Sequence, residues 1–108
     1  MSIRGQNIFF SAILFAAIAW PQTSTTELSG AVYDSTGAVV VGAIVTTTNN
    51  GTGIALKQVT NNSGLYSFPS IAVGTYTLTV EMPGFKTAQR TGITLVVGTP
   101  ATSNVSTT

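Results

Sequence analysis

The sequence contains no cysteine and no histidine, and its 108 residues include only four lysines or arginines and three aspartates or glutamates. The absence of cysteine excludes a disulfide framework and lipid attachment at a thiol. Without cysteine and histidine, the strongest nucleophiles, the commonest general base and the soft metal ligands are missing. We therefore expect no enzyme activity, no metal site and no cofactor, and a fold that depends on its apolar core alone.

Charge is equally sparse after residue 22. Three cations and three acids remain there, and their formal charges cancel: Lys57, Lys86, Arg90, Glu27, Asp34 and Glu81. A nucleic-acid-binding protein needs clustered basic side chains to neutralise phosphates. Scattered cations do not supply such a surface, so we expect no nucleic-acid partner and no attraction to an anionic membrane.

The N-terminal segment differs in composition from the rest of the chain. Arg4 precedes an uncharged, mostly apolar run at residues 8–20, with small residues such as Ala19 near its end. This pattern is typical of a secretory signal peptide, because a membrane span needs about 20 apolar residues. We predict a helical signal peptide at 1–22, cleaved after Ala19 or two or three residues later, and a spacer at 23–26. An uncleaved anchor is the alternative.

If the signal is removed, the mature chain contains no further apolar run long enough to span a membrane. We therefore expect an exported protein of the periplasm or outer membrane, or a secreted one.

Strict alternation of apolar and polar residues follows in two segments. The apolar members are expected to face one core: Tyr66 and Phe68 in the first segment, and Tyr76, Leu78 and Val80 in the second. Side chains alternate between the two faces of a strand, so each segment buries one side and exposes the other. Glycine, asparagine and proline recur at the spacing of about 8–12 residues that is typical of turns in all-β domains. The sequence therefore predicts an all-β, seven-stranded Greek-key sandwich at 27–108.

The seven strands are expected at residues 28–33, 42–48, 54–60, 65–68, 74–81, 86–97 and 102–106. The inward positions outside the two alternating segments are Ala43, Val45, Ile93, Leu95 and Val97. Residues 69–73 are interpreted as a connector whose Ile71 fills the core. Pro69, Pro83 and Pro100 are then all in turns, where they give the sheet edges little protection against pairing with other chains.

Five short motifs resemble the carboxypeptidase regulatory-like domain, a transthyretin-like sandwich. They are LSGAV at 28–32, DSTGAVVVGAIV at 34–45, TNNSGLYSF at 60–68, GTYTLTV at 74–80 and PGF at 83–85. The resemblance covers residues 27–108. Because these motifs are turns and core positions, they are specific for a fold and carry little information on activity.

The resemblance also implies a setting. Domains of this family occur behind the catalytic domain of metallocarboxypeptidases, and directly after the signal peptide of TonB-dependent outer-membrane receptors. The order of signal, spacer and single domain matches the second setting. The resemblance therefore implies a non-catalytic structural or docking module of the cell envelope, with a protein partner or adjoining receptor domains. This module is expected to be either the N-terminal extension of a TonB-dependent receptor or a stand-alone relative.

Three other kinds of site are suggested by residues of the sequence. Asp34 is a candidate calcium ligand, although a single carboxylate is better explained as a turn cap. Lys57 and Asn104 are the residue types of an isopeptide cross-link, but no buried acid is evident to catalyse it. Carbohydrate binding is the main alternative function, because sugars stack on exposed aromatic faces. Tyr33 and Phe85 are the aromatic residues expected to be exposed and to contact such a ligand.

The signal-peptide prediction can be tested by expressing the full chain and fractionating the cells. We expect the protein in an exported fraction, with an N-terminus that follows Ala19 or a residue shortly after it. Mass spectrometry of the N-terminal peptide identifies the cleavage site. Recovery of the intact Met1 form in the cytoplasm would show that the prediction is wrong.

Overall fold

The chain folds into two β-sheets in a computed structural model, which describes residues 24–107, and the two alternating segments lie in different sheets. The predicted signal peptide at 1–22 and the first residue of the spacer lie outside the described residues. Within the described residues every regular element is a strand. In the same part of the chain, no helix has the length and hydropathy needed to cross a membrane. The all-β, two-layer sandwich predicted from the sequence is confirmed.

The strands are β1 (Thr25–Tyr33), β2 (Ile44–Asn49), β3 (Ala55–Val59), β4 (Leu65–Ala72), β5 (Gly74–Glu81), β6 (Ala88–Leu95), β7 (Ala101–Thr102) and β8 (Val105–Ser106). One sheet has β1 at its centre, with β4 on one side and the two short strands β7 and β8 on the other. Because β7 and β8 together occupy the place of one strand, we call it the smaller sheet. The larger sheet has the order β3-β2-β5-β6. The chain crosses between the sheets four times, after β1, β3, β4 and β6.

Strands β7 and β8 behave as one strand that runs parallel to β1. Leu28 lies opposite Ala101 and Val32 lies opposite Val105, so the register is the same on both sides of the interruption. The backbone N–H of Ser103 donates to the carbonyl of Ser29 inside the interruption. With β7 and β8 counted together, the sandwich has the seven strands that were predicted.

The core lies between the two sheets and is formed by the residues whose alternation was evident in the sequence. Its buried members are Leu28, Val32, Val40, Ala43, Val45, Tyr66, Phe68, Ile71, Tyr76, Leu78, Val80, Leu95 and Val105. The rings of Tyr66 and Phe68 meet edge to face with centroids 6.0 Å apart, a favourable arrangement for two aromatic rings. The inward assignments of Ala43, Val45 and Ile71 are confirmed.

The interpretation of residues 69–73 as a connector is wrong, because β4 continues through Ala72. Ile71 is buried within the strand, and Pro69 lies in the strand instead of in a turn. The pairing of β4 with β1 shifts register between Thr26 and Leu28, opposite the proline. Proline cannot donate a ladder hydrogen bond and is tolerated at edge strands and bulges. Both conditions hold here, since β4 is an edge strand.

The inward assignment of Val97 is also wrong. Strand β6 ends at Leu95, which is buried, whereas Val97 is 63% exposed in the tight turn that follows. The turn is closed by a bridge between Val96 and Thr99. Alternation predicts a face only while the strand continues, so it fails where the chain turns. The predicted break at Gly92 is a bulge: the register against β5 shifts there, and Gly92 has a φ of +71°.

Two buried threonines differ in how their hydroxyl groups are satisfied. The Thr60 hydroxyl donates to the carbonyl of Val40 at 2.7 Å and accepts from the N–H of Ala43 at 2.9 Å. It thereby joins two loops at one end of the larger sheet. Thr47 is fully buried in the centre of that sheet, and its hydroxyl has no hydrogen-bond partner. An unpaired buried hydroxyl destabilises the folded state by about 1–3 kcal/mol.

Replacing Thr47 by valine should therefore stabilise the protein. Thr47→Val keeps a β-branched side chain of similar shape and removes the unpaired hydroxyl, so we expect a gain of about 1 kcal/mol in unfolding free energy. For a domain of this size the melting temperature would rise by roughly 4–8 °C. The control is Thr75→Val on the exposed face of β5, which should give no comparable gain. A fall in stability for Thr47→Val would mean that its hydroxyl is hydrogen-bonded in solution.

Candidate binding groove

A groove with a volume of about 590 Å³ lies on the outer face of the smaller sheet. Its lining comes from β1, from the start of β4, from the β7 and β8 segment, and from the end of β3 with the turn that follows. These residues are Ser29, Gly30, Ala31, Tyr33, Gln58, Val59, Asn61, Leu65, Tyr66, Ser67, Thr102 and Asn104. The outer residues of β1 and β4 alternate with the core residues, so the strand pattern that builds the core also builds the groove.

The floor of the groove is low because the outward residues at the centre of β1, Ser29 and Ala31, have small side chains, and Gly30 between them faces the core. Gly30 is required by a close approach of the backbone: a Cβ atom there would collide with the carbonyl of Ser103 and lie 2.7 Å from the Tyr66 hydroxyl. Larger residues at the border, such as Leu65 and Tyr33, stand above this floor.

Tyr66 supports the floor from the core side. Its side chain is 3% exposed, and its hydroxyl donates a hydrogen bond to the carbonyl of Ser103. Burial disfavours the phenolate and raises the pKa of Tyr66 from an ordinary 10.0 to about 12. The hydroxyl is neutral at physiological pH, and its hydrogen bond to Ser103 holds the C-terminal segment against β1.

Asn104 completes the pairing between this segment and β1. Its Oδ1 accepts the backbone N–H of Ala31 at 3.0 Å, where a continuous strand would offer a main-chain carbonyl. This bond fixes the orientation of the side-chain amide. Because Asn104 is an exposed residue that lines the groove, its Nδ2 group can donate to a ligand.

Asn61 is held in a similar way on the opposite side of the groove. Its Oδ1 accepts the backbone N–H groups of Ser63 at 2.9 Å and Leu65 at 3.0 Å in the turn before β4. The turn was predicted from the sequence, but no local pattern indicates that Asn61 borders a cavity. Since Oδ1 is engaged by the backbone, Nδ2 is the group that Asn61 can direct to a ligand.

The two aromatic residues predicted as ligand contacts are not brought together. Tyr33 is half-buried at the end of β1 and lines the groove. Phe85 is 37% exposed in the turn between β5 and β6, outside the groove lining. The prediction of these two residues as ligand contacts is not tested by the structure.

Two other sites considered from the sequence have a structural explanation. The Oδ1 of Asp34 accepts from the N–H and hydroxyl of Thr36 at 2.8 and 2.6 Å and from the N–H of Ala38 at 3.0 Å. The hydroxyl of Thr36 is the main cause that lowers the pKa of Asp34 below its ordinary value. Asp34 is therefore a turn cap.

The two residues considered for an isopeptide cross-link are not brought together. Lys57 is on β3, where it lies opposite Thr46 of β2. The side chain of Asn104 instead accepts a hydrogen bond from the backbone of Ala31.

The groove is electrically neutral. None of its lining residues is Asp, Glu, Lys or Arg, and its polar groups are hydroxyls and amides. Among residues 24–107 there is also no group of three or more His, Cys, Asp and Glu residues that could hold a metal ion. The arrangement can therefore supply hydrogen bonds and contact area, whereas neither a charged ligand nor a metal would find a counter-charge in the groove.

The family model described as the carboxypeptidase regulatory-like domain matches residues 27–108. No curated protein matches the chain.

Solved structures share the fold at low sequence identity. A candidate carbohydrate-binding protein from Pseudomonas aeruginosa is 15% identical with a TM-score of 0.57, and the match covers 82% of this chain and 92% of that one. A candidate carbohydrate-binding protein from Bacteroides uniformis is 17% identical with a TM-score of 0.56, over 75% of this chain and 39% of that one.

A third match is to a cohesin–X-dockerin complex from Acetivibrio cellulolyticus, with 22% identity and a TM-score of 0.55, over 76% of this chain and 56% of that one. The chain thus spans little more than half of this relative and less than half of the Bacteroides protein. At these identities the likeness shows the fold alone.

The buried hydroxyl of Tyr66 predicts a loss of stability at alkaline pH. The unfolded chain ionises this tyrosine near pH 10.0, whereas the folded chain holds the proton to about pH 12. The contribution of the protonated Tyr66 side chain to the free energy of unfolding is therefore complete below pH 10.0, and it is lost as the pH rises through about 12. The Tyr66→Phe variant cannot ionise there. Its melting temperature should be lower than that of the parent at neutral pH, because a hydrogen bond is lost, and the gap should narrow or reverse above pH 10. An unchanged gap across this range would contradict the prediction.

Proposed function

The chain belongs to the carboxypeptidase regulatory-like domain family, and from this premise we propose that it is a non-catalytic docking module of the cell envelope. In this proposal it is exported and works in the periplasm or at the outer membrane, most like the N-terminal extension of a TonB-dependent receptor. Its partner is an extended protein segment that adds a strand to the larger sheet. The absence of histidine and cysteine from the sequence supports a role without catalysis.

The observation that carries the proposal is the free edge of β3. This strand is the outer member of the larger sheet, and all five of its residues are exposed. It contains no proline, no glycine and no register shift against β2. An exposed, regular edge strand presents unpaired backbone groups that accept another strand.

The backbone groups that point outward can be identified from the hairpin of β2 and β3. The N–H of Asn49 donates to the carbonyl of Ile54 at one end, and the N–H of Thr60 donates to the carbonyl of Ala43 at the other. Hydrogen-bonded and non-hydrogen-bonded pairs alternate between these ends. The N–H and C=O groups of Ala55, Lys57 and Val59 therefore point away from β2. Three donors and three acceptors in one row match a short antiparallel or parallel partner strand.

The other edges of the described sandwich are less suited to this role. Strand β4 contains Pro69 beside a register shift, and β6 contains the bulge at Gly92 with the charged Arg90 next to it. The C-terminal edge is interrupted at Asn104, where a side chain replaces the backbone acceptor. Proline, bulges and charged residues are the usual means by which proteins block edge pairing. Among the described edges, only β3 has neither a proline nor a bulge, and its one charged residue is Lys57.

Lys57 also favours a foreign partner over a second copy of this chain. In a symmetric antiparallel pair of two β3 strands, centred on the middle residue, the two Lys57 side chains would lie directly opposite each other. Like charges in opposing positions destabilise a pair of strands. A partner segment with an acidic residue opposite Lys57 and apolar residues beside it has the complementary charge.

The docking proposal can be tested by photo-crosslinking in the cell envelope. A photoreactive amino acid at position 55 should capture one defined envelope protein, or an adjoining domain of the same polypeptide, whereas the same amino acid at position 75 on β5 should not. We expect Lys57→Pro to abolish the crosslink, because proline removes an outward N–H without removing a bond to β2.

The matched control is Lys57→Thr, which also loses the charge but keeps the N–H, and it should retain most of the crosslink. Circular dichroism verifies that both variants fold. Equal crosslinking from positions 55 and 75, or a crosslink that survives Lys57→Pro in a folded protein, would refute docking at this edge. The reading frame that follows Thr108 is a further check on the receptor setting, since that setting requires a plug and a barrel there.

A further inference from the structure

We propose that the groove on the outer face of the smaller sheet binds an uncharged oligosaccharide. The carrying observation is a pair of asparagine side chains, Asn61 and Asn104, whose amide groups are fixed by the backbone on two sides of the same neutral cavity.

The chemistry of the lining selects the class of ligand. A phosphate, carboxylate or ammonium group would enter the groove without a counter-charge and would lose part of its hydration there. A purely apolar ligand would leave the amide and hydroxyl groups of the lining without partners, which is also unfavourable. A neutral molecule with many hydroxyl groups satisfies both conditions, because each hydroxyl can donate and accept.

The asparagine pair supplies donors at fixed positions. In both residues Oδ1 already accepts backbone N–H groups, so the amide plane is set before any ligand arrives and Nδ2 is the group left to donate. Fixing a side chain in advance lowers the entropy that binding would otherwise cost. Such donors suit the hydroxyl and ring oxygens of a sugar, whose lone pairs accept hydrogen bonds.

The remaining lining residues complement these donors. Ser29, Ser67 and Thr102 contribute hydroxyls that both donate and accept. Tyr33 contributes a half-buried ring at one end of the groove, where a sugar face can stack. The volume of about 590 Å³ lies within the range of roughly 300–1,000 Å³ that is common for ligand sites.

The test uses the full chain as it is recovered from expression, immobilised and probed with two defined sets of ligands. The neutral set contains hexasaccharides of glucose, xylose and mannose in their common linkages, and the charged set contains uronate and sulfated oligosaccharides. We expect retention of at least one neutral oligosaccharide and weaker retention of the charged set. No retention of any neutral member at millimolar concentration, or stronger retention of the charged set, would overturn the proposal.

Variants then assign the binding to the groove. Asn104→Asp and Asn61→Asp keep the Oδ1 acceptor on which the backbone depends, but they replace the Nδ2 donor by a carboxylate oxygen. Each should weaken binding of the retained oligosaccharide by tenfold or more in a calorimetric titration. The matched control is Asn49→Asp, where Oδ1 likewise accepts two backbone N–H groups, from Gly51 and Thr52, outside the groove.

We expect the Asn49→Asp variant to bind as the parent does. Tyr33→Ala is a second groove variant that leaves the asparagine bonds intact and should also weaken binding. Retention that is unaffected by all three groove variants would refute the site. Lys57→Pro should leave sugar binding unchanged, so this result and the docking result can fail separately.

Discussion

The pairing of the C-terminal segment with β1 is the constraint on which the sandwich depends. β1 is the central strand of the smaller sheet, and its second neighbour comes from residues about 73 positions further along the chain. Without that neighbour, Leu28 and Val32 would have an open side and Val105 would not reach the core. Pairing over this sequence separation costs loop-closure entropy, which the contacts of the completed sheet offset. The contact therefore joins the two ends of the domain and completes its core.

The same contact also forms one side of the groove. The close approach of the Ser103 carbonyl leaves no room for a side chain at position 30, and the hydroxyl of Tyr66 occupies the remaining space. Asn104 supplies by its side chain the acceptor that the interrupted strand lacks. The space freed at position 30 is on the core side, whereas the outward residues Ser29 and Ala31 are small and leave the floor of the outer face low. The Asn104 side chain, which replaces the missing strand acceptor, places an amide at the border of the groove.

The sequence predicts those parts of the molecule that depend on local periodicity. The alternation of Tyr76, Leu78 and Val80 is a property of a single strand, and these three residues are buried as expected. The failures occur where a local pattern meets a distant partner. Pro69 suggests a turn until the bulge against β1 makes room for it within β4. Asn104 resembles any polar residue near a chain end until the N–H of Ala31 lies 3.0 Å away. The groove combines strands that are remote in sequence, so composition indicates its neutral chemistry and gives no indication of its position.

The parallel direction of the C-terminal segment has a mechanical consequence. Because it runs the same way as β1, the polypeptide enters the smaller sheet at one pole of the sandwich and leaves it at the other, a distance of about 30 Å for the nine residues of β1. A force that stretches the chain between these poles acts along the two strands, so their hydrogen bonds are loaded together in shear instead of opening one after another. Such a domain transmits tension in line along β1 and the C-terminal segment. A module placed between an anchored element and a moving one would thus act as a stiff link of fixed length.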